Sequence, residues 1–262
     1  MRVSTAVGCV LVFAASSSAD DALKATGRAA LDKHKDAVVA VRVVRKVRNV
    51  VQGKELGGGE VRSETAGTVI APDGLTVVSD AAGDPNLLLG GDDGAHGTES
   101  QVVDVKIVLA DGRELPAKFV LRDRDLDLAF VRPDAKDLNL PHVKLEKATA
   151  PAPLDDLIFV YRKGRSLNRV PCVVLGRVEG VLKKPRTFVV PDVLLGLQTL
   201  GSPVFDASGR AVGVVVMRRA PGIKADGGGI RDLFELINPV VVTSEDVLDA
   251  AAQAVKAKEP VK

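Results

Sequence analysis

Tryptophan is absent from this 262-residue chain, tyrosine occurs once, and aromatic residues make up only 3% of it. Stacking platforms for single-stranded nucleic acid and for sugars are built from such rings, so the composition argues against both. Histidine is scarce as well. Neither His34 nor His142 has a cysteine or carboxylate partner at ligand spacing, His96 lies in a Gly/Asp-rich loop, and no metal centre and no cofactor is implied. Cysteine is limited to Cys9 and Cys172. Cys9 falls in an N-terminal stretch with the marks of a removable segment, so one thiol remains and stability has to come from packing rather than from a disulfide. A dominant charge sign is missing too: 36 basic against 34 acidic residues leave a net +2, which gives no electrostatic reason to expect a nucleic-acid partner.

What the chain does have is aliphatic bulk. Hydrophobic residues are 46% of it, and with so few rings the core must be built from Val, Leu and Ala. Such a core suits β-barrels, and roughly 240 residues suffice for one or two compact units with real interiors.

The N-terminus carries Arg2, an apolar run from Ala6 to Ala15, and Ser16-Ser17-Ser18-Ala19 before Asp20. This is the order of a secretory signal, so residues 1–19 are expected to be removed and the chain exported to a bacterial-type periplasm or secreted. The run is shorter than the about 20 apolar residues that span a bilayer, so no transmembrane anchor is expected in the mature chain. Cys9 sits in the middle of the run and reads as part of the signal.

Beyond it, residues 20–36 have a helical composition. Val38 to Val51 alternates as a strand, with Arg42, Arg45, Lys46 and Arg48 expected on one solvated face. A glycine turn at Gly57-Gly58-Gly59 leads to strands near Val61–Ile70 and Leu75–Val78, then Val102–Leu109, Glu114–Leu121 and Leu128–Val131. Six strands over residues 37–134 close most economically as an antiparallel barrel, since closure leaves no exposed edge. Residues 135–153, rich in proline, read as a surface linker. Residues 154–243 hold six more strand candidates, at Leu157–Tyr161, Pro171–Val178, Thr187–Val190, Pro203–Phe205, Ala211–Met217 and Pro239–Val242. Ser244 is expected to cap a final helix within 244–262. The fold class is all-β: two six-stranded antiparallel barrels with short terminal helices.

Three stretches carry a family resemblance: Gly67-Thr-Val-Ile-Ala-Pro-Asp-Gly-Leu-Thr-Val-Val-Ser-Asp-Ala-Ala82, Asp123-Arg-Asp-Leu-Asp-Leu-Ala-Phe-Val131 and Asp192-Val-Leu-Leu-Gly-Leu-Gln-Thr-Leu-Gly-Ser-Pro-Val-Phe-Asp206. In order and spacing they resemble the triad segments of trypsin-like serine proteases of the HtrA (DegP-like) group, over roughly residues 37–242 and without a PDZ module. The resemblance implies the double-barrel fold and places the triad aspartate at Asp127. It also puts Ala81 where the family has histidine and Leu200 where it has the nucleophilic serine. Gln198, Thr199, Leu200, Gly201 and Ser202 then form the turn that in the family builds the oxyanion hole and borders bound peptide.

A serine hydroxyl is a poor nucleophile until an imidazole takes its proton, and the aspartate only orients that imidazole. With Ala81 and Leu200 in their places, the chain is expected to be a non-catalytic member that binds an extended peptide or a protein partner in the exported compartment. The alternative is a serine endopeptidase with a rearranged site, using Ser202 or Ser79 with His96 from the Gly90–Gly97 insertion.

Overall fold

The computed structural model describes residues 13–51, 54–81, 98–218 and 238–256. Helix α1 (Phe13–His34) leads into the strands β1 (Val38–Val51), β2 (Lys54–Val69), β3 (Thr76–Ser79), β4 (Thr98–Val108), β5 (Glu114–Asp123) and β6 (Leu128–Pro133). After the linker come β7 (Asp156–Arg162), β8 (Pro171–Leu182), β9 (Phe188–Pro191), β10 (Pro203–Asp206), β11 (Ala211–Arg218) and β12 (Asn238–Thr243), then helix α2 (Ser244–Lys256). Both sets close into six-stranded barrels of antiparallel pairs. The strand order around the first is β1-β2-β3-β6-β5-β4, and the second, β7-β8-β9-β12-β11-β10, repeats it.

Alternation along the strands sorts the apolar residues into three cores. Val39, Val41, Val69, Val78, Ile107, Phe119, Ala129 and Val131 fill the first barrel. Leu157, Phe159, Val178, Val189, Val204, Val215 and Val241 fill the second. The opposite strand faces form a third cluster that runs along the seam, with Val77, Leu128 and Phe130 from the first barrel and Ile158, Val160, Phe205 and Val214 from the second. The helices cover this cluster. In α2, Val247, Ala250, Ala251 and Ala254 recur at the spacing of one helical face and are buried against it. In α1, Ala30 is buried and His34 stacks on Phe205 with ring centroids 4.7 Å apart.

Several expectations are corrected in detail. Helix α1 begins at Phe13, inside the segment expected to be removed, and ends at His34. Gly57, Gly58 and Gly59 are not a turn but part of β2, opposite Asn49, Arg48 and Val47. A side chain at Gly58 would put Cβ 2.4 Å from the Val47 carbonyl, so close backbone approach, not chain reversal, is what requires glycine there. Arg45 does not share the solvated face of Arg42, Lys46 and Arg48; it is buried on the other. The linker is not wholly superficial, because Leu140, Val143 and Leu145 turn inward and the Leu140 and Val143 N–H groups donate to Pro72 and Val69 carbonyls. Finally, the cap of α2 is Thr243. Its Oγ1 accepts from the Asp246 N–H and donates to the Asp246 carboxylate, whereas Ser244 Oγ donates to the Glu146 carbonyl and ties the linker to the helix.

Candidate functional site

The three positions picked out by sequence meet where the barrels touch. Asp127 lies in the turn between β5 and β6 with a left-handed backbone, φ 53°, a conformation that aspartate tolerates better than most residues. The turn is held by the Asp80 N–H, which donates to the Asp127 carbonyl at 3.0 Å. Three donors converge on the Asp127 carboxylate: Ser79 Oγ at 2.5 Å and the Met217 N–H at 2.8 Å on Oδ2, and the Ala81 N–H at 2.7 Å on Oδ1. Burial pushes its pKa up to about 6, assisted by the neighbouring Asp80 and opposed by the three hydrogen bonds. Asp127 is therefore a hydrogen-bonded group that links the barrels, since Met217 belongs to β11 while Ser79 ends β3 and Ala81 follows it.

Ala81 is buried, and its methyl group joins the core of the second barrel together with Leu195, Leu200 and Met217. Leu200 has no exposed surface at all. It follows a single 3-10 turn, Leu197–Thr199, and the turn's geometry explains its direction. The Thr199 N–H donates to Gly196, the Leu200 N–H to Leu197 and the Ser202 N–H to Thr199, which winds the chain tightly and points Leu200 into the barrel. Leu197 does not follow it inward and stays 45% exposed, and Leu194 is 99% exposed.

Gly201 is the hinge of this arrangement. Its φ is +86°, and an added Cβ would stand 2.2 Å from the Ala66 carbonyl oxygen of the first barrel, so no other residue fits. Its N–H donates to Val215 and its carbonyl accepts from Thr68 Oγ1 at 2.7 Å, again crossing from barrel to barrel. Ser202 is fully buried, and its hydroxyl has no hydrogen-bond partner among the described residues. Of the backbone donors in the turn, those of Thr199, Leu200, Gly201 and Ser202 are thus engaged within the protein. Gln198 is exposed.

Elsewhere, Arg162 donates to the Val38 and Lys35 carbonyls at 2.6 Å each and to the Arg169 carbonyl, while Arg169 forms a two-pronged ion pair with Glu64. These contacts also tie barrel to barrel. Sequence reading missed Met217 and Thr68 as partners of the site, and it named Ser79 as an alternative nucleophile rather than as a donor to Asp127. Met217 acts through its backbone N–H, which carries no residue-type signal. The histidines stand apart: His34, at the end of α1, is buried against Phe205 with its pKa lowered to about 4 by desolvation, His142 Nδ1 lies 3.1 Å from the Leu140 carbonyl, and His96 is outside the described residues. Among the described residues no group of three His, Cys, Asp or Glu side chains is placed to hold a metal ion, and no helix is long and apolar enough to cross a membrane.

Comparison with known proteins places this geometry. The family model of the trypsin-like peptidase domain matches residues 65–214, more than half of the chain, from the end of β2 into β11. The chain belongs to the trypsin-like peptidase family. Ala81, Asp127 and Leu200 all fall inside the matched span of this trypsin-like domain. Among solved structures, it is similar to an HtrA-type protease, AlgW in a serine-to-alanine form with a decapeptide, at a TM-score of 0.60 and 14% sequence identity over 90% of this chain and 68% of that one. At that identity the likeness is one of fold. No curated protein matches the sequence.

Proposed function

We propose that this trypsin-like domain is an exported pseudoprotease, which uses the protease fold to bind an extended peptide or a protein partner and does not cleave it. The observation that carries this reading is that Leu200, which motif spacing puts at the family's nucleophile position, is enclosed in the core of the second barrel with no exposed surface. Two further features agree with it. Ala81 offers no group to accept a proton, and the Asp127 carboxylate that would orient an imidazole already receives three hydrogen bonds. The Leu200 N–H, one of the donors that an oxyanion would need, donates to the Leu197 carbonyl of its own turn.

Binding without cleavage has a surface to work with, since Leu194, Leu197 and Gln198 are exposed beside the closed turn. The related HtrA-type protease was solved with a decapeptide, and peptide capture is the activity of this fold that survives loss of the chemistry. Export is part of the proposal and rests on the signal-like order of residues 1–19. The test is hydrolysis of fluorescent casein and of small esters by the purified chain alongside its Leu200→Ala variant. Equal, background rates are expected; turnover abolished by Ser202→Ala or His96→Ala would establish the rearranged protease instead.

A further inference from the structure

We infer that the chain has a second peptide-binding groove on the outside of its second barrel, which takes an extended segment with acidic side chains at one end and an aliphatic side chain at the other. It shares no residue with Ala81, Asp127 or the Gln198–Ser202 turn.

Two cavities, of about 680 and 650 Å³, lie along the linker. The first is bounded by the β8–β9 hairpin (Lys183, Pro185, Arg186) and the start of α2 (Glu245, Asp246, Asp249), the second by Leu154, Asp155, Asp156, Asp206 and Val212. Both are lined by Thr149 and Ala150, so they are two ends of one groove. Each volume suits a few side chains of a ligand.

The groups that the fold leaves unengaged state what belongs there. At the first end the acids are already matched: Lys147 pairs with Glu245 at 3.3 Å and Asp249 at 3.2 Å, and Asp246 bonds Thr243. Lys183 and Arg186 are exposed and, among the described residues, have no ion-pair or hydrogen-bond partner. At the second end the acids are matched too. Asp155 accepts from the Ala152 N–H, Asp156 pairs with Arg177, and Asp206 pairs with Arg210. What remains is Leu154, 79% exposed at the edge of the cavity. Between the ends, the backbone groups of Ala148, Thr149 and Ala150 have no hydrogen-bond partner among the described residues. A run of unpaired backbone can pair with an extended chain, side-chain contacts at either end then setting its register. Free cations select carboxylates, and an exposed leucine selects an aliphatic partner. Ala148 to Leu154 spans at most about 20–25 Å, the reach of an extended ligand segment of roughly six or seven residues.

The experiment is selection of a displayed library of random octapeptides on the full chain, followed by binding of the enriched peptides to variants. Enrichment of Asp or Glu at one end and Leu, Ile or Val at the other is expected. Affinity should fall at least about tenfold in Lys183→Glu/Arg186→Glu and in Leu154→Asp, and weaken with added salt. Amide shifts on binding should map to Thr149, Ala150 and the 183–186 hairpin. No enrichment, basic consensus sequences, or enriched peptides that bind these variants unchanged would overturn the proposal. Peptides that shift only Leu197–Ser202 would support the pseudoprotease cleft while refuting this groove, and the converse map would separate the two in the other direction.

Discussion

Truncating Leu200 is the sharpest perturbation of this site. The residue is fully buried among Leu195, Val204, Val215 and Met217 in the second barrel, and the turn that carries it is fixed on both sides, by the Leu197–Thr199 winding and by Gly201 against Ala66. The surroundings therefore have little room to collapse into the space. Leu200→Ala should cost about 2–5 kcal/mol through lost transfer energy and a residual cavity. For a chain of this size each kcal/mol lowers the melting temperature by about 2–4 °C, so a fall of roughly 4–20 °C is expected. Leu200→Ser should be at least as harmful, because it puts a hydroxyl into an apolar core position with no exposed surface. Leu197→Ala is the matched control: the same chemistry at a half-exposed site should change stability far less. Calorimetric melts of the three variants decide it. If Leu200→Ala and Leu200→Ser melt with the wild type, the leucine is not a core residue, and the explanation of the closed turn by packing is wrong.

Asp127 and His34 should pull stability in opposite directions with pH. The His34 pKa is lowered to about 4, so its contribution is lost as pH falls from 6.5 towards 4; that of Asp127 is raised to about 6, so its contribution is lost as pH rises from about 4 to 6. Relative to wild type, His34→Phe should gain stability on going from pH 7.5 to 4.5 and Asp127→Asn should lose it, each by up to about 3 kcal/mol in denaturant melts; parallel pH profiles would refute both assignments. Gly201→Ala should destabilise by more than about 2 kcal/mol, from the left-handed backbone and the collision with Ala66, and a neutral effect in urea unfolding would contradict the close approach of the barrels. Restoring Ala81→His with Leu200→Ser should give a folded protein with casein hydrolysis near background, because the turn's N–H groups stay engaged and misplacement by about 1 Å can cost a hundredfold; robust proteolysis would show a turn that is still preorganised.

Much of the fold was legible because its strands are long, aliphatic and alternating. The bounds of Val38–Val51 were readable, though the register shift at Val44/Arg45 that accompanies the burial of Arg45 was not, and the period-two pattern also separated β7 from β8 and β10 from β11. Glycine misled at 57–59, since a residue that permits a turn equally permits two strands to approach closely, and composition does not distinguish them. The linker misled in the other direction. Its prolines marked irregular backbone correctly, but Leu140, Val143 and Leu145 lack a periodicity that would have announced their burial. At the site, sequence spacing brought Ala81, Asp127 and Leu200 together. Residue type alone does not give direction there, since the 3-10 turn sends Leu200 inward and the equally aliphatic Leu197 outward. The backbone donors from Met217 and Gly201 were invisible because any residue supplies them.

The central claim is that no serine of this chain is a nucleophile, and labelling with a fluorophosphonate addresses it most directly. The reagent reacts with an activated serine whatever the substrate preference, so an unknown specificity cannot hide an active site. The native chain, incubated with the probe and mapped by peptide mass spectrometry, is expected to show no more modification at Ser79 or Ser202 than a heat-denatured sample. Stoichiometric, fold-dependent modification at either residue would contradict the account and make the protein a working hydrolase.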